Sequence, residues 1–369
     1  MKIGIPKEVK QDEFRVGLTP FNTAQLIDDG HIVYIQKGAG VGSGFSDQEY
    51  IDSGAIIVNS AKELYGSSKL IVKVKEPQSS EYDFLNETHT LFCYFHLAPL
   101  KDLAVTLMEK KVCAIAYETV SLNGQLPLLK PMSDIAGKIS VMMGAYHLGV
   151  YQDGNGILIG GTVGVAPAKV LIIGAGNAGY NAAKVAVGMG ADVTVMNRST
   201  PKLQELQNHL PSVKTLVYSP KALNECLKQT DIVISSVLIH GGAMTPKLIT
   251  RDMLKSMKKG TVLIDITIDQ GGISEASHPT THTNPVFVEE GVIHYCVANM
   301  PGAYAKTATQ ALTNATFPYI RKMANDGVNE SLKDDMALAE GVNVYKGYIT
   351  KTAVAQKLQL NFKELGELI

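Results

Sequence analysis

The chain has 369 residues, a formal net charge of -1, 45% hydrophobic and 19% charged residues. That length exceeds one ordinary domain of roughly 100–200 residues, the composition is that of a well-cored globular chain, and the near-neutral charge argues against a nucleic-acid partner. No apolar run reaches the ~20 residues that span a bilayer, the N-terminal MKIGIPKEVK lacks a signal-peptide core, and Cys93, Cys113, Cys226 and Cys296 have neither metal-ligand nor redox spacing, so a cytoplasmic, reduced protein with no metal site is expected.

In chain order, residues 2–5 read as a short strand, followed by a loop that carries Lys7, Glu8 and Arg15. Thr19 and Pro20 open a helix to about Asp29, the first as N-cap and the second at the first helical position. After a strand over 31–35 comes GAGVGSGF, residues 38–45, whose glycines fail the G-x-G-x-x-G spacing because Ser43 takes the third position. It reads as a tight or mobile loop at the mouth of a cleft. Ser46 and Glu49 then form a capping box for a separate short helix.

Residues 70–75 alternate, with Leu70, Val72 and Val74 on one face and Ile71, Lys73 and Lys75 on the other. Two lysines at the end of an otherwise buried strand require either a solvated strand end or a polar cleft, and spacing does not choose between these. A strand over 90–95 delivers His96, and one over 111–117 is followed by Glu118. Residues 121–131 are turn chemistry between two domains, and 133–151 read as a long helix ended by DGNG at 153–156.

The segment 169–198, KVLIIGAGNAGYNAAKVAVGMGADVTVMNR, is the most specific stretch. A buried-type apolar strand leads into Gly174, Gly176 and Gly179 in the order G-x-G-x-x-G, then an alanine-rich helix and a second apolar strand. That is the context a dinucleotide site requires, and a lone triplet would be weak. The glycines provide a tight turn, close approach to a pyrophosphate and helix–strand packing, while the helix N-terminus faces the phosphates. Further strands are expected at 231–237, at 261–265 continuing into DITIDQGG with Asp269, and at 292–296 as the last strand. Asn299-Met300-Pro301 follows, a helical pattern runs to about Ala324, and the tail is expected to be mostly helical.

Strands alternating with helices imply parallel α/β sheets, and ligands bind beyond the carboxyl ends of such strands. The expected fold is therefore α/β, with two Rossmann-like domains whose parallel sheets are flanked by helices, and an active site in the interdomain cleft. Lys75, His96, Asp269 and the glycine triplet all follow strand ends.

The sequence resembles the alanine dehydrogenase and transhydrogenase alpha-subunit family over nearly its whole length. The matching segments are IGIPKEVKQDEFRVGLTP, VKVKEP, LFCYFHLA, IAYETV, LPLLKPMS, VLIIGAGNAG, IDITIDQGG, PTTHTNPVF, HYCVANMPGA and ALTNAT. The resemblance implies reversible oxidative deamination of L-alanine to pyruvate and ammonium with NAD, in a cytoplasmic homohexamer without a membrane partner. It also implies a discontinuous substrate domain, 1–130 plus 305–369, and a nucleotide-binding domain, 131–304. By the same resemblance His96 and Asp269 are the catalytic pair, and Arg15 and Lys75 bind substrate. Cofactor positions are Ser133, Gly174, Gly176, Asn177, Ala178, Gly179, Asn197, Arg198, Lys202, Ser219, Leu238, Ile239, Ile266, Thr267, Ile268, Asp269, Val297, Ala298, Asn299 and Met300. Tyr94, Met132 and Asn299 are expected to line the substrate pocket.

The chemistry agrees. A guanidinium fork and an ammonium suit a carboxylate, a histidine suits proton shuttling near neutrality, and a carboxylate suits activation of water or support of a cationic imine. One departure stands out, because Asn197 and Arg198 replace the acidic residue usual in the family at the end of the second nucleotide-domain strand. Asn197 lacks the charge that repels a 2′-phosphate and Arg198 can pair with one, so NADP is the alternative cofactor. Rival functions are a dehydrogenase of another small L-amino acid, a transhydrogenase-type nucleotide-binding subunit, and a catalytically dead nucleotide-binding regulator.

Overall fold

The computed structural model describes residues 1–237 and 244–369, which divide into one unit of Met1–Met132 with Gly302–Ile369 and a second of Ser133–Pro301. In the first unit, β1 (Lys2–Ile5), β2 (Ile32–Gln36), β3 (Ile56–Val58), β4 (Leu70–Lys75), β5 (Thr90–Tyr94) and β6 (Cys113–Ala116) are mutually parallel in the order 3-2-1-4-5-6. The second unit repeats that order with β7 (Lys169–Ile173), β8 (Asp192–Asn197), β9 (Lys214–Val217), β10 (Ile232–Ser235), β11 (Val262–Asp265) and, beyond β11, β13 (Val292–Tyr295), edged by the antiparallel β12 (Val286–Glu289). Each sheet thus reverses direction once, between β1 and β4 and between β7 and β10, and a doubly wound sheet binds ligands at that switch.

The chain then returns to the first unit. Helix Ala305–Asp326 is followed by β14 (Val342–Tyr345), which pairs antiparallel with β6, and β15 (Tyr348–Ile349), which pairs antiparallel with β14, so that both extend the first sheet. This corrects one expectation, since 292–296 is not the last strand; the tail is largely helical as expected but also carries these two strands. A four-residue strand and a two-residue strand, joined by a turn at Lys346 and Gly347 with φ of 47° and 86°, are too short for their period-2 pattern to register. Val344, Ile349, Val354, Ala355 and Leu358 from this tail pack into the same core as Ile71, Leu91, Cys93 and Phe95.

Local chemistry explains several helix starts. The Thr19 hydroxyl accepts from Asn22 N at 3.3 Å, with Pro20 opening helix Pro20–Asp28, and Ser46 and Glu49 form the reciprocal capping box of helix Asp47–Asp52. The 38–45 segment is a tightly packed turn. The Ser43 hydroxyl donates to Phe14 O at 2.9 Å and lies 2.8 Å from Thr309 Oγ1, and a Cβ at Gly42 would come within 2.8 Å of Phe14 O. Its effect is to fix the segment that leads to Arg15. The long helix expected over 133–151 runs Lys130–His147, followed by a short 3-10 turn, Val150–Gln152.

Candidate active site

The polar groups of the first unit gather where β1, β4, β5 and β6 end. Arg15 lies in the loop after β1 and is fully buried, and its guanidinium is clamped by Glu13, with Nε 2.7 Å from Oε1 and Nη2 2.5 Å from Oε2. Nη1 reaches Met132 Sδ at 3.0 Å. Burial opposes the charge on Glu13, yet the adjacent guanidinium, helped by Lys75, outweighs it and holds the carboxyl below its usual range. Glu13 thus bears electrostatically on both cations, Arg15 and Lys75.

Lys73 and Lys75 are 1% and 9% exposed, which excludes a solvated strand end. They also do not share a face. Val72 pairs with Phe92 but Lys75 pairs with Tyr94, so β4 spends three steps where β5 spends two, a bulge that turns Lys75 onto the side of Val72, Phe92 and Tyr94. Lys73 stays on the opposite side, where its ammonium meets Glu81 at 2.9 Å and Glu8 at 3.3 Å, and Tyr65 donates to the same Glu81 at 2.9 Å. The N–H groups displaced by the bulge go to Glu8, whose Oε1 accepts from Val74 N at 2.6 Å and more weakly from Lys75 N at 3.4 Å. Burial pushes the Glu8 carboxyl up to about 7 against the opposing pull of Lys73. The neighbouring carboxylates Glu13 and Glu81 add to the rise.

His96 follows β5, and its backbone sits at φ 45°, in the left-handed region. A residue with a Cβ adopts that conformation at a cost of about 1–2 kcal/mol, so something must hold it there. Glu118, just after β6, accepts from His96 N at 2.6 Å and from Phe95 N at 3.2 Å. The imidazole is exposed and stacks on the Tyr94 ring with centroids 6.0 Å apart and planes 7° apart. Tyr94 is fixed in turn, its hydroxyl donating to Leu128 O at 2.6 Å. The first unit therefore brings Arg15, Lys75, Tyr94, Met132 and His96 to one end of its sheet. Sequence reasoning assigned no role to Glu8, Glu13 or Glu118. Their available signal was position, since all three follow strand carboxyl ends.

In the second unit each glycine of the triplet has a separate reason. Gly174 has φ 110° and a Cβ there would lie 2.7 Å from Ser236 Oγ, while a Cβ at Gly179 would sit 1.9 Å from Gly174 O. At Gly176 an added Cβ would meet no protein atom within 4 Å, so the space in front of this backbone is open. Helix Asn177–Gly188 begins there with no side chain capping it, leaving its first N–H groups for an anion. Gly137 allows helix Lys130–His147 to approach this N-terminus, since a Cβ would be 2.2 Å from Ala178 O. Ser133 and Asp134 lie on that helix, and Asp134 accepts from Asn181 Nδ2 at 3.0 Å. This tight turn, open backbone and uncapped helix suit a dinucleotide pyrophosphate.

At the end of β8, Asn197 donates to Ser199 O at 3.3 Å, and the Arg198 guanidinium lies 5.3 Å from the Tyr218 ring centroid. Lys202 is exposed, and the Ser219 hydroxyl caps helix Pro220–Leu227 by accepting from Ala222 N at 3.1 Å. After β11 the buried Asp265 carboxylate accepts from Thr267 N, Thr267 Oγ1, Ile273 N and Ser277 Oγ at 2.7–3.2 Å. It thereby folds 266–272 into a turn that presents Asp269 to solvent. Val297 and Met300 are buried, Ala298 and Asn299 half-buried, and Asn299 has φ 61°. Leu238 and Ile239 lie outside the described residues.

Comparison with known proteins covers both units. A family model described as alanine dehydrogenase/PNT, N-terminal domain, matches residues 4–136, and its C-terminal-domain counterpart matches 140–352. An alanine dehydrogenase of Halomonas elongata is 47% identical over 371 residues, covering 100% of both chains, and alanine dehydrogenase 2 of Staphylococcus aureus is 46% identical over 372 residues, again covering 100% of both. The solved structure of an L-alanine dehydrogenase matches with a TM-score of 0.94 at 44% identity, covering 97% of this chain and 99% of that one. A transhydrogenase from Sinorhizobium meliloti shares the fold, with a TM-score of 0.81 at 24% identity, covering 96% of this chain and 100% of that one.

Proposed function

This chain belongs to the alanine dehydrogenase/PNT family, and from that membership we propose that it is an NAD-dependent dehydrogenase interconverting L-alanine with pyruvate and ammonium. The observation that carries the reading is the group at the end of the first sheet, where a buried guanidinium, a buried lysine and an exposed imidazole converge beside Tyr94. A nucleotide-binding subunit that exchanges hydride only between dinucleotides has no use for such a set.

Arg15 and Lys75 hold the substrate carboxylate by charge-assisted hydrogen bonds, with Glu13 keeping the guanidinium oriented. His96 takes the proton released from the substrate amine and, as water adds to the imine carbon, returns one when ammonium leaves. Asp269 stabilises the cationic imine and orients that water. When bound, the nicotinamide supplies the hydride acceptor, and the turn at Gly174, Gly176 and Gly179 with Asn177 and Ala178 holds the pyrophosphate. Ser133, Lys202, Ser219, Leu238, Ile239, 266–269 and 297–300 complete the nucleotide contacts in this proposal. By the same resemblance the working assembly is a cytoplasmic homohexamer.

Reduced-cofactor absorbance followed with small L-amino acids, with alanine as sole hydride donor, tests the proposal. Robust turnover with alanine is expected, and turnover only between two dinucleotides would reverse the reading in favour of a transhydrogenase-type subunit. His96→Ala should lower turnover by orders of magnitude while leaving dinucleotide affinity nearly intact. A second reading concerns the cofactor. Asn197 has no negative charge and Arg198 is anchored over Tyr218, which supports acceptance of NADP as well as NAD. Comparable specificity constants for the two are expected under that reading, and a large NAD preference would sink it.

A further inference from the structure

We propose that Glu118 is the positioning residue of this active site, setting where the His96 imidazole stands by holding the backbone on which it is mounted. The inference rests on the proposed role of His96. β5 and β6 pair in parallel up to Cys93 and Ala116, after which β6 ends in the 3-10 turn Tyr117–Thr119 and supplies no further ladder carbonyl. The two N–H groups that follow β5, those of Phe95 and His96, are taken by the two oxygens of the Glu118 carboxylate, Oε2 at 3.2 Å and Oε1 at 2.6 Å. A side chain therefore continues the ladder at the point where the chain must leave it.

The geometry at His96 shows why this matters. Its φ of 45° is disfavoured for a residue with a Cβ, and it turns the chain at the end of β5, where the imidazole stacks on Tyr94 with planes 7° apart. Tyr94 is anchored independently through Leu128 O at 2.6 Å, so it fixes one face of the ring but not the backbone beneath it. Release of the two N–H groups lets φ relax to the extended range and swings the ring off Tyr94. Glutamine at 118 has the shape of glutamate but offers one acceptor oxygen and one donor amide. It leaves one of the two backbone N–H groups facing another donor.

Steady-state kinetics on the full-length protein decide the matter, in an order that separates this inference from the reading beneath it. His96→Ala comes first, because near-normal turnover there removes His96 from catalysis and the positioning role with it. With turnover lost in His96→Ala, Glu118→Gln is expected to lower kcat about 10- to 100-fold, the scale of a catalytic group misplaced by an ångström. The KM for NAD should stay within about twofold, as the nucleotide contacts are untouched. In a His96→Ala background Glu118→Gln should add nothing further to the loss, since a residue acting through His96 has no effect once the imidazole is gone. Wild-type kcat in Glu118→Gln overturns the proposal. So does a loss that persists in full in the His96→Ala background, or one matched by an equal loss of NAD affinity, which would mark Glu118 as a general structural support. Should Glu118→Ala fail to fold, the glutamine variant still decides.

Discussion

His294 on β13 is fully buried, neither ring nitrogen has a hydrogen-bond partner among the described residues, and its ring stacks on Phe287 of β12 with centroids 4.8 Å apart. Burial lowers its pKa from 6.5 to about 4. Because the folded value lies below the unfolded one, the unfolded chain binds more protons between the two. Stability from this site is therefore complete above pH 6.5 and falls as pH drops towards 4, by about 3 kcal/mol over the window. His294→Phe, which keeps the stacked ring and removes the titration, should flatten the pH dependence of urea midpoints between pH 6.5 and 4 relative to the unaltered chain. Parallel curves for the two would show that His294 finds solvent in the native state. Sequence separates this residue from His96 only by position, since both belong to apolar stretches. His96 was legible as a candidate because it follows a strand instead of lying within one. Its supports were not, as Glu13 reaches Arg15 from two residues away and Glu118 reaches His96 across the end of a neighbouring strand. Such contacts follow from pairing order, which no local spacing encodes.

At the scale of the element, β4 shows how a legible pattern can mislead. Alternation over LIVKVK places Lys73 and Lys75 together, and the pairing with β5 separates them by inserting one residue. The bulge left no trace in composition, as no glycine or proline marks it. Its support comes from Glu8, in the loop after β1, which is the strand next to β4 at the switch of the sheet. Loss of the Glu8 carboxylate would leave the Val74 N–H buried without an acceptor, at about 1–3 kcal/mol, and the strand could recover by slipping back into register. That slip would rotate Lys75 away from Tyr94. Glu8→Ala is accordingly expected to raise the KM for the amino acid by about tenfold, the equivalent of ~1.4 kcal/mol, with the KM for NAD unchanged. Glu8→Gln, which keeps an acceptor oxygen for Val74 N, should retain most of the affinity. Equal KM values for alanine in Glu8→Ala and the unaltered chain would mean that the bulge holds without Glu8.

At the scale of the whole molecule, the two units differ in how the chain builds them. Ser133–Pro301 is one continuous stretch, and its sheet takes strands from nowhere else. The other unit closes only when the tail returns, because β14 covers the edge of β6 and Val344, Ile349, Val354 and Leu358 enter the core under Leu91 and Phe95. Period and composition made the βα alternation of both units legible, while the return of the tail came only from the family resemblance, since its two strands are too short to announce themselves. The energetics follow from that connectivity. Each of those four tail side chains contributes roughly 1.5–3 kcal/mol on burial. Together they rival the whole ~5–15 kcal/mol that holds an ordinary domain folded. A chain ending at Pro301 should therefore keep a folded second unit that still binds NAD, with the first 132 residues unfolded or aggregated around an exposed β6 edge. Hydrogen exchange resolved by segment would read this directly, with protection retained over β7–β11 and lost over β1–β6. Protection of β4 and β5 at native levels in that truncated chain would show that the tail decorates a core able to stand without it. Loss of protection everywhere would show that the second unit depends on the first for its stability, despite drawing no strand from it.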